Sequence, residues 1–353
     1  MTDALIETVT ANWEPRIVGA GVDIYEYRQV AADVQTWAKW LTVWEAHGDQ
    51  RATQARELEE AGHPETAGDM WRRAMLSYHF GKFVWTLDME LHDRVADKAA
   101  HALRSTHRLL APEAEWLQIP FDGAPMTAVL RRPAGAQRPP LVVLIPGLDS
   151  TKEEFFGAEA IFHDRGMATL TLEGPGQGDT GRHLNIRPDF DVPFAAALDY
   201  IADRDDLDLD RIGTIGFSLG GYYAPRVAAF EPRVKAAVGM SGAYRLSDYW
   251  DERPVMTRGA FQQHSGASTD AEAKEIAATL SLEGVADKIS QPLLIITGDL
   301  DRLVPWRESK RTADEAPNST WKLYEGGNHV VNNMSYESKA FAADWLREQL
   351  TRS

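Results

Sequence analysis

The sequence predicts an α/β protein: a mostly parallel β-sheet with helices on both faces, preceded by a separate helical domain. Three observations predict it. From residue 115 onward, short continuous apolar runs alternate with amphipathic segments. Residues 1–110 carry helical periodicity and few turn signals. Between a strand pattern and a helix pattern lies Gly216-Phe217-Ser218-Leu219-Gly220, a glycine-flanked tight turn.

The helical domain is expected to be a set of antiparallel helices. Trp37, Leu41 and Trp44 share one helical face, and Met70, Ala74, Tyr78, Gly81 and Trp85 share another. Ala61-Gly62-His63-Pro64 reads as a helix stop and restart, with Pro64 suited to a first turn. Six of the eleven tryptophans fall here, either as the domain's own core or as the lining of a substrate cavity. The catalytic domain spans 111–353. Its strands 115–121 and 125–131 flank the hairpin signal Asp122-Gly123-Ala124. Further strands fall at 141–145, 168–172, 212–216, 236–240, 293–297 and 321–324. The helices between them fall near 152–165, 190–204, 219–230, 306–316 and 334–350. Continuous apolar strands of this kind belong to a sheet buried on both faces. Residues 244–290 break the alternation and read as an insertion.

Composition narrows the function classes. The 353 residues carry 37 Lys and Arg against 53 Asp and Glu, a net charge of −16. Such a surface repels phosphate backbones and anionic lipid, so neither nucleic acid nor a membrane is expected as partner. No cysteine is present, which removes disulfides, thiolate metal sites and a cysteine nucleophile. The N-terminal segment has no basic and apolar signal pattern, and a cytoplasmic location is expected.

The chemistry concentrates at Ser218. Arg211–Ile215 before it reads as a buried strand and Tyr222–Ala228 after it as a helix. A strand–turn–helix of this form is the nucleophile elbow of the α/β-hydrolase fold, with the serine raised at the carboxyl end of the sheet. A serine needs a base to take its proton, and in this fold the acid and then the histidine follow the serine along the chain. Asp301 has the spacing in Gly298-x-x-Asp301-x-x-Val304-Pro305, with Asp299 the alternative and loop support its other role. His329 follows the strand 321–324 in Glu325-Gly326-Gly327-Asn328-His329. None of the other nine histidines follows a late strand in this way; most read as solvated or helix-face residues. The backbone N–H groups of Leu219 and Leu148 are the expected oxyanion donors. Pro146 stands where a histidine is usual, which leaves the Leu148 donor intact.

More specific wording lies in Pro146-Gly147-Leu148-Asp149-Ser150-Thr151-Lys152-Glu153-Glu154, Arg165-Gly166-Met167-Ala168-Thr169, Glu173-Gly174-Pro175-Gly176-Gln177-Gly178, Tyr78-His79-Phe80-Gly81-Lys82-Phe83 and Asp248-Tyr249-Trp250-Asp251. Over nearly its whole length the chain resembles the 2,6-dihydroxypseudooxynicotine hydrolase group. That group is related to fungal polyketide-shortening hydrolases and fermentation-respiration-switch esterases. The resemblance implies an α/β-hydrolase fold whose helical domain, 1–110, caps the active site, and a homodimer. It also implies hydrolysis of a carbon–carbon bond next to a ketone, without metal or organic cofactor. The triad carries onto Ser218, Asp301 and His329. An assisting carboxylate of the pyridine-ring enzyme falls on Asp251 or Glu252, which otherwise read as solvated loop charges. Trp250 and Tyr78 are possible substrate contacts. His79 and Lys82 either face the cavity or form a buried histidine with a snorkelling lysine. Glu173 stands in place of an expected aspartate, and its glycine-rich turn reads as structural.

Two reactions fit the triad. One is C–C hydrolysis of a β-diketone or an electron-rich aryl ketone, by Ser218 or by a water that His329 activates. The other is ester, thioester or lactone hydrolysis, or acyl transfer. A non-catalytic binding protein is disfavoured because every triad member is present.

Overall fold

The computed structural model describes residues 4–352. They form twelve α-helices and one eight-stranded sheet, divided between two compact units. The first unit is Met1–Ala114 with Glu153–Gly157, and the second is Glu115–Lys152 with Ala158–Ser353. The division falls after Ala114 rather than Leu110 because the chain turns back on the last helix end: Ala111 N–H bonds His107 O, and Ala114 N–H bonds Ala111 O.

The first unit holds α1 (Ala4–Gly19), α2 (Ile24–Asp33), α3 (Trp37–Glu60), α4 (Pro64–Lys82) and α5 (Met89–Leu110). The stop at Ala61–His63 and the restart at Pro64 lie where the sequence puts them. Trp40, Leu41 and Trp44 are fully buried. Trp13 meets Trp37, Trp40 and Phe83 edge-on at centroid distances of 5.8, 5.5 and 4.9 Å. The indole N–H of Trp40 donates to Phe80 O at 2.8 Å, that of Trp85 to Trp37 O at 3.0 Å, and that of Trp71 to Glu59 Oε1 at 2.6 Å. These rings are therefore the helical unit's own core, stacked in the geometries aromatic quadrupoles favour.

The second unit begins with β1 (Glu115–Phe121) and β2 (Ala124–Arg131), joined by Asp122 and Gly123 at φ +47° and +82°. Both central residues in the left-handed region make the two-residue hairpin turn whose twist matches its strands. The remaining strands are β3 (Pro140–Ile145), β4 (Ala168–Glu173), β5 (Asp208–Phe217), β6 (Val234–Met240), β7 (Leu293–Gly298) and β8 (Ser319–Tyr324). The order is β1-β2-β4-β3-β5-β6-β7-β8, with β1/β2 and β2/β4 antiparallel and all other pairs parallel. The interleaved helices are α6 (Lys152–His163), α7 (Asp191–Tyr200), α8 (Leu219–Phe230), α11 (Trp306–Glu315) and α12 (Ser335–Arg352). Between β6 and β7 the insertion supplies a 3-10 segment, Leu246–Glu252, then α9 (Val255–Ser265) and α10 (Asp270–Thr279). Among the described residues no helix is long and apolar enough to cross a membrane.

Candidate active site

Ser218 sits between β5 and α8 at φ +59°, ψ −110°, a conformation a side chain adopts only under constraint. Its neighbours explain how the turn closes. A Cβ on Gly216 would lie 1.8 Å from Gly220 O, and one on Gly220 would lie 2.2 Å from Ile145 O. The backbones approach too closely for any side chain, so both glycines are obligatory. Ser218 N–H is held by Met240 O at 2.9 Å.

His329 Nε2 lies 2.8 Å from Ser218 Oγ, and His329 Nδ1 lies 2.8 Å from Asp301 Oδ2. The Asp301 carboxylate is fully buried and also accepts the N–H groups of Leu303 and Val304, both at 2.9 Å. Asp299 does something different: its Oδ1 accepts Gly326 N–H at 2.7 Å and ties down the loop that carries the histidine. After His329 the chain is strained, with Val330 and Val331 at φ +59° and +53°. Left-handed β-branched residues cost on the order of 1–3 kcal/mol each. The cost is borne by local bonds: Ser241 Oγ accepts Val330 N–H at 3.0 Å, and Asn332 Nδ2 donates to His329 O at 3.0 Å.

The loop after β3 lies against the serine. A Cβ on Gly147 would stand 3.2 Å from Ser218 Cβ. Gln177, fully buried, donates from Nε2 to Pro146 O at 2.6 Å and to Gly147 O at 3.2 Å, and its Oε1 accepts Gly174 N–H at 3.0 Å. The N–H of Leu148 belongs to the same planar trans peptide as Gly147 C=O, so it points away from Gln177. Glu173 braces the other end: its carboxylate accepts the N–H of Lys152 at 2.9 Å and of Asp179 at 3.0 Å. The Lys152 ammonium lies 3.3 Å from Glu173 and 2.8 Å from Asp179. Sequence reasoning passed over Gln177 and Ser241. The only signal for the first was a polar residue inside a Gly-Pro-Gly-x-Gly turn, and nothing marked the second.

The structure brings Ser218, Asp301 and His329 together and sets the Leu148 and Leu219 N–H groups at the same end of the sheet. It does not bring Asp251 or Glu252 there. Both are exposed, and Asp251 pairs with Lys274 at 2.7 Å, because the 3-10 segment turns Tyr249 and Trp250 inward and the next two residues out. Trp250 is buried against Phe261, and its N–H points at Asp270 Oδ2, 3.3 Å away. In the helical unit, Tyr78 Oη donates to Asp49 at 2.7 Å. Lys82 is buried, and His79 is the buried, hydrogen-bonded histidine of the structural reading. His79 is fully buried against Glu154 at 3.2 Å, and Glu154 is gripped in turn by Arg16 at 2.7 Å. Burial opposes ionisation of Glu154, but the Arg16 charge and the His79 hydrogen bond outweigh it and hold the carboxyl well below its usual range. Burial pushes the His79 imidazole down despite Glu154.

Residues 154–353 match the prolyl oligopeptidase family. Over 342 residues the chain is 31% identical to 2,6-dihydropseudooxynicotine hydrolase of Paenarthrobacter nicotinovorans, covering 96% of this chain and 92% of that one. The chain belongs to this family of α/β-hydrolases. The solved structure of 2,6-dihydroxy-pseudo-oxynicotine hydrolase matches this hydrolase with a TM-score of 0.88 at 29% identity, over 97% of this chain and 96% of the other. Hydrolyase poxO of Penicillium oxalicum is 32% identical over 233 residues, 60% of this chain, and the hydrolase spans only 53% of that longer relative. The likeness to 2,6-dihydropseudooxynicotine hydrolase thus runs through the helical unit as well, where the prolyl oligopeptidase match does not reach.

Proposed function

We propose that this hydrolase cleaves a carbon–carbon bond next to a ketone in an aromatic or polyketide-like substrate, through Ser218, His329 and Asp301. The observation that carries the reading is the near full-length similarity to 2,6-dihydropseudooxynicotine hydrolase, helical unit included. The chemistry follows from the 2.8 Å contacts. Ser218 Oγ attacks the carbonyl carbon while His329 Nε2 takes its proton. Asp301 holds the other ring nitrogen and stabilises the imidazolium. The oxyanion forms against the N–H groups of Leu148 and Leu219. Collapse breaks the C–C bond; its electron pair passes into a neighbouring ketone or phenol, and His329 returns the proton to the carbon. Water then hydrolyses the acyl-serine, releasing the carboxylic acid and the free serine.

An ester would run through the same relay with a heteroatom leaving group. Product analysis in deuterated water separates the two. C–C hydrolysis places one solvent deuterium on the carbon formerly bonded to the carbonyl; ester hydrolysis places none. Ser218→Ala should abolish both turnover and fluorophosphonate labelling. A preference for simple esters, with β-diketones and acylphenols untouched, would overturn the C–C reading in favour of an esterase.

A further inference from the structure

C–C cleavage makes a demand that ester cleavage does not. The electron pair of the broken bond must rest on a ketone or phenol oxygen until a proton arrives. That oxygen lies beyond the attacked carbonyl, so the oxyanion donors do not serve it, and a second set of preorganised donors is needed.

Arg253 follows the 3-10 segment Leu246–Glu252 and is 8% exposed. Its Nη1 donates to Tyr249 Oη at 3.3 Å, and its guanidinium carbon lies 5.0 Å from the Tyr249 ring centre. Its Nε has no hydrogen-bond partner, and among the described residues no carboxylate pairs with it. Buried Arg131 also has an Nε without a hydrogen-bond partner, but its Nη1 is paired with the Glu159 carboxylate at 2.7 Å, a counter-charge that Arg253 lacks. A buried cation left without a counter-charge is costly, so a site that keeps one is set for an anion. The segment is tied to α11, which follows the Asp301 loop, and Tyr249 lies close enough to feel the Asp301 charge. Asp248 pairs with Arg311 of α11 at 2.9 Å, and Arg245 N–H bonds Glu308 of α11 at 3.2 Å. Helix α11 starts at Trp306, directly after the loop that carries Asp301.

We propose that Arg253 and the Tyr249 hydroxyl form an anion subsite that holds the enolate or phenolate oxygen of the leaving fragment. The proposal rests on the C–C reading above. Tyr249 accepts from Arg253 and keeps its own proton to donate. Burial pushes its hydroxyl up to about 12, with the Asp301 and Glu308 charges adding to the rise and Arg253 opposing it, so it remains a donor at neutral pH. The two nearby carboxylates are themselves engaged, Asp301 by His329 and Glu308 by Arg311.

The test compares wild type, Arg253→Met, Arg253→Lys and Tyr249→Phe on an acylphenol and on an ester of the same acyl group. Arg253→Met should lower the ratio of C–C to ester kcat/KM by about 100-fold, and Arg253→Lys by less. A second readout is independent of turnover. An acylphenol bound to Ser218→Ala should show the absorbance of its phenolate at a pH where the free phenol is neutral, and adding Arg253→Met should abolish that signal. If Arg253→Met does not fold, the lysine and phenylalanine variants carry both measurements. An unchanged ratio, or equal phenolate absorbance with and without Arg253, overturns the subsite while C–C cleavage by wild type stands. If wild type cleaves esters alone, the C–C reading fails and takes the subsite with it.

Discussion

Gln177 Nε2 donates to the carbonyl oxygen of Pro146 at 2.6 Å, a fully buried amide clamped onto the loop that follows β3. The same nitrogen reaches Gly147 O at 3.2 Å, and that peptide carries the Leu148 N–H on its opposite side. A side chain 31 residues further along, past the next strand, thus sets the direction of the Leu148 N–H, the donor proposed for the oxyanion.

Gln177→Met should lower kcat on the order of 100-fold with little change in KM, because the donor is used in the transition state and not in the ground state. Two carbonyls also lose a partner, so the melting temperature should fall. Rates are therefore normalised to sites titrated with fluorophosphonate. A variant with full kcat per titrated site would show that Gln177 supports the fold and nothing more.

Asp301→Asn should reduce kcat by orders of magnitude, comparable with the ~10⁴-fold loss seen when the serine-protease aspartate is replaced. Asp299→Asn should cost far less, since Asp299 holds Gly326 N–H and not the imidazole. Steady-state kinetics of the two variants decide the point, and the opposite ranking would move the acid to Asp299.

Acidification should destabilise the fold between about pH 6.5 and pH 4. His163 is pushed down to about 4, first by burial and then by the Arg131 charge, and burial lowers His79 as well. Both histidines are harder to protonate folded than unfolded. The unfolded chain therefore binds more protons in this window, and stability falls as pH falls through it. Thermal melts from pH 7 to pH 4.5 should show a declining midpoint, and His163→Asn should flatten the decline. A midpoint that rises on acidification would contradict the assignment.

The secondary structure was legible almost element by element because each segment's local pattern agrees with its final environment. The apolar runs at 141–145 and 293–297 are buried strands, and Asp122-Gly123 is the hairpin turn it resembles. The triad was legible for a similar reason. Ser218 needs obligatory glycines around it, and Asp301 and His329 follow strand ends at characteristic spacings, so the chemistry leaves a linear trace. Asp251 and Glu252 left two readings open, and their exposure fits that of solvated loop charges: a short 3-10 segment exposes or buries a residue according to one rotation, and no periodicity records which.

By itself, then, the sequence determined the α/β sheet, the helical N-terminal unit, the elbow and the order of serine, acid and histidine, since these depend on local backbone demands and burial patterns along one stretch of chain. Tertiary structure alone decided that Gln177 clamps Pro146 O and that Glu173 braces the loop of Leu148. Such relationships join residues tens of positions apart through hydrogen bonds of about 3 Å. A bond of that reach is set by where two backbones cross in space, and neither residue's neighbours in sequence carry a mark of the crossing.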